Sequence, residues 1–206
     1  VVYRSVPPEY VKYLAAKRFL LKSGINISPQ FFYELRSGLE IKLSKSNNRK
    51  YGSLEFNIEE LASYIADYFE GRCLFTRNRI ISDFIETEVQ VELEVLSLNE
   101  DIFSFMKLVH SQGINLYLIS DFYIPREHFD KIIYKLGLTK FFQQIFISTD
   151  FHKTKKFGDL YKEFMTITGL GSKEVIMIGN SSVSDVEMAE KNGIKSYLLN
   201  DSKREH

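Results

Sequence analysis

Residues 175–194, VIMIGNSSVSDVEMAEKNGI, constrain this chain more than any other stretch. A hydrophobic run stops at Gly179, a polar loop follows, and Asp185 opens a short helix that ends near Gly193. An apolar run this short, punctuated by glycine and followed by a helix, reads as a buried parallel strand. Such a strand presents polar groups at its C-terminal end, where open α/β sheets place their sites. Three further pieces fit the same plan. One strand ends in Ser120-Asp121, another ends in Ser148, and a lysine loop runs from Lys153 to Lys156.

The rest of the chain divides into two grammars. Residues 6–111 are helical in pattern. Pro7 and Pro8 can open a helix over 9–21, since the first turn tolerates proline. Ser28-Pro29 caps a helix over 30–35. Residues 44–50, SKSNNRK, read as a polar, basic loop. Asn57 and Glu60 form a capping-box pair ahead of 61–69. Ser82 can cap a long helix to about Leu96, and Asn99 one over 100–111 that Gly113 closes in a left-handed position. From Ile114 onward strand and helix alternate. Strands are expected at 115–119, 145–148, 175–178 and 196–199, with helices at 125–136, 159–168 and 185–192. Short apolar strands separated by helices argue for a parallel sheet covered on both faces. The expected organisation is a helical cap-like module over residues 1–98, followed by an α/β core over 99–206.

Bulk properties remove several function classes. A chain of 206 residues suits one compact domain, or a core plus an insert. Lys plus Arg equals Asp plus Glu at 27 each, which gives no electrostatic reason to expect nucleic acid or an anionic membrane as partner. No apolar run approaches bilayer-spanning length. The first residues, VVYRSVPPEY, lack the basic and apolar regions of a signal peptide. A single cysteine, Cys73, excludes an internal disulfide and fits a reducing compartment. A cytoplasmic chain is the expectation.

Together these segments resemble the haloacid dehalogenase superfamily of phosphotransfer enzymes. Phosphoryl transfer is mostly positioning and charge stabilisation, and the family arranges four motifs at the ends of adjacent parallel strands. LYLISDFYIP is similar to the second motif, a strand ending in Ser or Thr. The resemblance makes Ser120 a catalytic, phosphoryl-binding hydroxyl and Asp121 a further substrate contact. The competing role for either is to cap a turn. STDFHKTKKFGDLYKEF resembles the third motif in the form found in members associated with surface-polysaccharide operons. Lys155 is then the motif lysine, with Gly158, Leu160 and Tyr161 matching downstream and Lys153 and Lys156 as competitors. The fourth motif is similar to residues 179–185, where Asn180 and Asp185 take the metal-ligand positions and Ser181 is a further substrate contact. An amide at position 180 is a neutral ligand, weaker toward a hard dication than a carboxylate. The competing role for Asp185 is a first-turn helix acid.

The first motif, D-x-D-x-T/V after a hydrophobic strand, does not occur in this sequence. Asp150-Phe151-His152 imitates it but follows the wrong strand. Residues 1–4 look like the text that follows such a strand in the family, so the nucleophile is expected just upstream. In the family fold that strand lies mid-sheet. Without it, the strands at 115–119 and 175–178 would keep unpaired inner edges.

The resemblance therefore implies an α/β, Rossmann-like parallel-sheet core with an N-terminal helical cap inserted after the absent first strand. It implies aspartyl-phosphate hydrolysis of a small phosphorylated metabolite, such as a sugar phosphate, with Mg2+ as cofactor. Tyr10, Tyr13, Phe31, Phe32 and Tyr33 are candidate cap aromatics, although helical spacing also suits them to the core. Arg49 and Lys50 are candidates to meet an anionic substrate. A degenerate, non-catalytic scaffold or regulatory domain, fused to or beside a glycosyltransferase, is the alternative that Asn180 favours. A generic nucleotide-binding module predicts a glycine-rich loop after a first strand, and no such loop is present.

Overall fold

A computed structural model describes residues 2–52 and 55–199. Four helices come first: α1 (Pro8–Ser23), α2 (Pro29–Tyr51), α3 (Ile58–Phe69) and α4 (Arg77–Val95). Before them lies β1 (Val2–Arg4), which pairs antiparallel with β2 (Leu96–Leu98) and brings the two ends of the helical segment together. Next come α5 (Glu100–Ser111), β3 (Leu116–Ser120), α6 (Arg126–Lys135) and β4 (Phe142–Ile147). A short α7 (Ser148–Phe151) and α8 (Asp159–Thr168) lead to β5 (Ile176–Gly179). A π-helical turn (Ser182–Glu187) runs into α9 (Met188–Lys191), and β6 (Lys195–Leu198) follows. The fold is the expected α/β arrangement with parallel strands.

Two expectations need correction. The basic stretch at 44–50 is not a loop, because α2 continues through it to Tyr51 before Gly52 turns left-handed. Lysine and arginine are good helix formers, and Asn47 is buried with its amide bonded to the Glu55 carbonyl, so tertiary contacts override the polar composition. The helix expected to start at Ser82 begins at Arg77, with Thr76 accepting from the Arg79 N–H as its cap. The pair β1–β2 was not foreseen; three-residue strands carry too little pattern to read.

The strands form three two-stranded sheets among the described residues, not one. β3 pairs in parallel with β4, and β5 pairs in parallel with β6. Period-2 alternation sends Leu116, Leu118, Ile145 and Ile147 to one face, against α5 and α6. Tyr117, Ile119 and Phe146 point to the other, against Leu160 and Phe164 of α8. Both faces of this pair are thus covered. The β5–β6 pair differs. Met177 packs beneath it beside Ile119, but Ile176 is 58% exposed and Ile178 40% exposed.

The helical module has its own core, in which Phe19, Phe32 and Phe84 meet with centroids 5.0–6.2 Å apart. Phe32 and Tyr33 pack in or against it, while Tyr10 and Phe31 are exposed. Ile124 and Ile132 enter the same cluster, so module and core share one apolar interior. Among the described residues no helix is long and apolar enough to cross a membrane.

A buried ionic network fastens the two halves. Arg4 grips both oxygens of Glu92 at 2.9 and 3.0 Å, a two-pronged geometry that favours Arg over Lys. Arg36, fully buried, meets Glu88 at 2.9 Å and Glu40 at 3.1 Å. The Tyr123 hydroxyl donates to Glu88 at 2.9 Å and Glu92 at 3.2 Å. Burial pushes the Glu88 carboxyl up, against the pull of Arg36 and Tyr123. Arg36 Nε and Glu88 Oε1 make no hydrogen bond. A buried pair breaks even at best against apolar packing, yet removing one partner strands a charge. Arg36→Ala is therefore expected to lower stability by about 3–5 kcal/mol in urea unfolding, and Arg36→Leu combined with Glu88→Leu to recover most of that loss.

Candidate functional site

The site lies where β3 and β5 end. Beyond Ser120 the chain leaves the sheet, and Asp121 turns its carboxylate toward the lysine loop. Its Oδ1 accepts the Lys155 N–H at 2.7 Å and its Oδ2 the Lys156 N–H at 3.2 Å. Asp121 is thus a brace for the lysine loop. Burial holds its carboxyl above the usual carboxylate range, against the opposing pull of the two N–H bonds and the Lys155 charge.

The loop owes its shape to local bonds. Thr154 is buried; its N–H donates to Asp159 at 2.7 Å and its hydroxyl accepts from the Phe157 N–H at 3.1 Å. Gly158 then takes a left-handed φ of 78°, where an added Cβ would also lie 2.7 Å from the Asn192 amide. Leu160 and Tyr161 follow as fully buried residues. The Tyr161 hydroxyl donates to the Ser184 carbonyl at 2.8 Å, tying α8 to the loop after β5. Burial, then the nearby Asp185 and Asp121, raise the Tyr161 phenol, so it stays a donor.

Of the three lysines, Lys155 alone enters the site. Its ammonium donates to Asp185 Oδ1 at 2.5 Å, with both side chains largely buried. Lys153 pairs with Glu163, and Lys156 is exposed. Asp185 is 3% exposed, and its Oδ2 accepts the Ser181 N–H at 3.0 Å. The close approach of Asp185 explains Gly179: a Cβ there would sit 2.3 Å from Asp185 Oδ2, so no side chain fits. The Ser181 hydroxyl accepts the Ser184 N–H at 3.1 Å and so caps the following turn. Lys155 therefore spans the site, with its backbone on the β3 end and its ammonium on the β5 end.

Of the six residues singled out by sequence, four form this network, while Ser120 and the exposed Asn180 adjoin it in the chain. Asp121, Lys155, Asp185 and Ser181 are linked by hydrogen bonds. Ser120 is half-buried and adjoins Asp121, but its hydroxyl, like the Asn180 amide, makes no hydrogen bond within the network.

Glu55 is the residue that sequence reading missed. It sits between α2 and α3, and its carboxylate is hydrogen-bonded to the buried Ser148 hydroxyl and close to Asp121 and Asp159. Burial, reinforced by those two carboxylates, raises its carboxyl from 4.5 to about 7. A glutamate in a polar loop carries no local signal for such a position; the contacts are all distant in sequence.

A magnesium ion would draw on Asp185 and Asn180. These supply one carboxylate, already paired with Lys155, and one neutral amide. No group of three or more His, Cys, Asp or Glu residues suited to a metal occurs among the described residues. The donors in hand do not make a magnesium site by themselves.

The strand ends and the lysine that bridges them belong to an α/β core joined to a helical module. The family description "haloacid dehalogenase-like hydrolase" matches residues 37–199, and the chain belongs to that family. No curated protein matches it. Solved structures similar to it include a 2-haloacid dehalogenase from Pseudomonas syringae pv. Tomato DC3000, with TM-score 0.66 and 14% identity over 98% of this chain and 86% of that one. The HAD-hydrolase YfnB of Bacillus subtilis, solved bound to magnesium, gives 0.60 and 14% over 95% and 84%. A HAD phosphatase from Thermococcus onnurineus gives 0.56 and 14% over 96% and 80%. At these identities the likeness speaks for the fold alone.

The raised Glu55 carboxyl has a stability consequence. Between pH 4.5 and 7 the folded chain holds a proton that the unfolded chain has lost, so stability falls as pH rises through that window. Glu55→Gln is expected to unfold about 1–3 kcal/mol later than the parent above pH 7, the gain vanishing below pH 4.5, in thermal melts across pH.

Proposed function

We propose that this chain is the phosphate-binding and charge-stabilising part of a phosphohydrolase that acts on a small phosphorylated metabolite, such as a sugar phosphate. The observation that carries the reading is Lys155, a largely buried cation held between the ends of two parallel strands by Asp121 and Asp185. A fixed ammonium in a partly dry site is what a transferring phosphoryl group needs, since its charge is met without reorganisation. The Ser120 hydroxyl, at the end of β3, binds one phosphoryl oxygen. Lys155 neutralises another, and Asp185 keeps the ammonium aimed. The attacking carboxylate comes from a strand that pairs between β3 and β5, outside the described residues; that strand would use the unpaired inner edges of both. Magnesium joins only if that strand brings further carboxylates to Asp185 and Asn180. A cytoplasmic setting and an associated glycosyltransferase belong to the same reading, the first supported by the lone cysteine.

Asn180 and the Lys155–Asp185 pair also support a second reading, a domain that keeps the fold and binds phosphate without turnover. Calorimetry with inorganic phosphate and hydrolysis of an aryl phosphate by the full-length gene product decide between them. Phosphate binding is expected, weakened at least tenfold by Lys155→Met, with magnesium-dependent turnover. Binding without turnover across metals establishes the second reading, and absence of phosphate binding removes both.

A further inference from the structure

The turn that carries Asp185 is held out of regular helical register. A regular ladder would give the Met188 N–H to the Ser184 carbonyl, four residues back. The Met188 N–H donates instead to the Val183 carbonyl, five residues back. The Val186 N–H reaches the Ser181 carbonyl at 3.2 Å in the same wide pattern. The Ser184 carbonyl is met from outside the turn, by the Tyr161 hydroxyl at 2.8 Å. A side chain inserted into a helical ladder distorts it, and single π turns recur at functional sites.

Packing does not account for that hydroxyl. The Tyr161 ring is fully buried in an apolar cluster with Ala189 and Ile194, against Ile119, Met165 and Met177. A phenylalanine ring would fill the same space and spare the cost of burying a polar group. What the hydroxyl adds is direction, because a ring fixed on all sides holds the carbonyl it meets in one place. Asp185 is the next residue after that carbonyl. Its two oxygens accept from the Lys155 ammonium at 2.5 Å and the Ser181 N–H at 3.0 Å, so a change of register in the turn breaks this pair of contacts. We propose that Tyr161 is a positioning residue: its hydroxyl keeps the 182–187 turn in the wide register, and that register aims Asp185 at Lys155. The consequence for phosphate rests on the role of Lys155 proposed above; the control of the turn does not.

The test compares the full-length gene product with Tyr161→Phe, Asp185→Asn and the double variant. Scalar couplings across backbone hydrogen bonds, read by NMR, report the register directly. The parent is expected to couple the Met188 N–H to the Val183 carbonyl, and Tyr161→Phe to couple it to the Ser184 carbonyl. Calorimetry with inorganic phosphate reports the consequence. Tyr161→Phe is expected to weaken phosphate binding at least fivefold in the parent background and less than twofold in the Asp185→Asn background, because the hydroxyl acts through that carboxylate. A role in packing alone would weaken binding equally in both backgrounds and leave Met188 on Val183. Met188 still coupled to Val183 in Tyr161→Phe overturns the proposal, and so does a changed register with phosphate bound as in the parent. A parent that binds no phosphate overturns the reading of Lys155, while the couplings still decide that of Tyr161.

Discussion

The Lys155–Asp185 pair is the interaction on which the rest of the site depends. A lysine whose backbone is fixed by one carboxylate and whose ammonium is fixed by another cannot wander like a surface lysine. The surrounding choices follow from it. Gly179 is required because Asp185 must lean over the end of β5. Ser181 caps the turn that carries Asp185, and Tyr161 holds that turn against α8. The π-helical turn over Ser182–Glu187 fits the same demand, since a wider turn re-aims a side chain where a regular one would not.

Much of this was legible in the sequence because it is local. The capping box at Asn57 and Glu60, the Asn99 cap, and the left-handed glycine at 113 stand where the sequence placed them. The fourth-motif spacing located Asp185, and the glycine after the lysine run singled out Lys155 from its neighbours. What escaped was set by contacts between distant residues. The 44–50 stretch is helical because Asn47 is buried, which its own polarity argues against. Glu55 reaches the site only because Ile58 and Phe56 dock on Tyr123. Asp121 and Ser181 hold the loops around them through their hydrogen bonds, a role the sequence offered for Asp121 as a turn cap and did not single out for Ser181.

The helical module and the core are coupled twice, by unlike means. The Arg36–Glu88–Tyr123 network is buried and directional, so it favours one relative placement over many. The shared apolar cluster that includes Ile124 supplies area without direction. Tyr123 takes part in both couplings and also receives Ile58, so one residue transmits the position of the strand end to the segment that carries Glu55.

The uncovered side of β5 bears on how this polypeptide behaves in solution. Ile176 and Ile178 lie open beside the half-exposed Tyr197 of β6, and the inner edge of β5 has no ladder partner among the described residues. Backbone groups in a row next to open branched side chains are a template for another molecule's strand. A strand paired along that edge would therefore serve solubility as well as architecture, and a bare edge favours self-association as concentration rises.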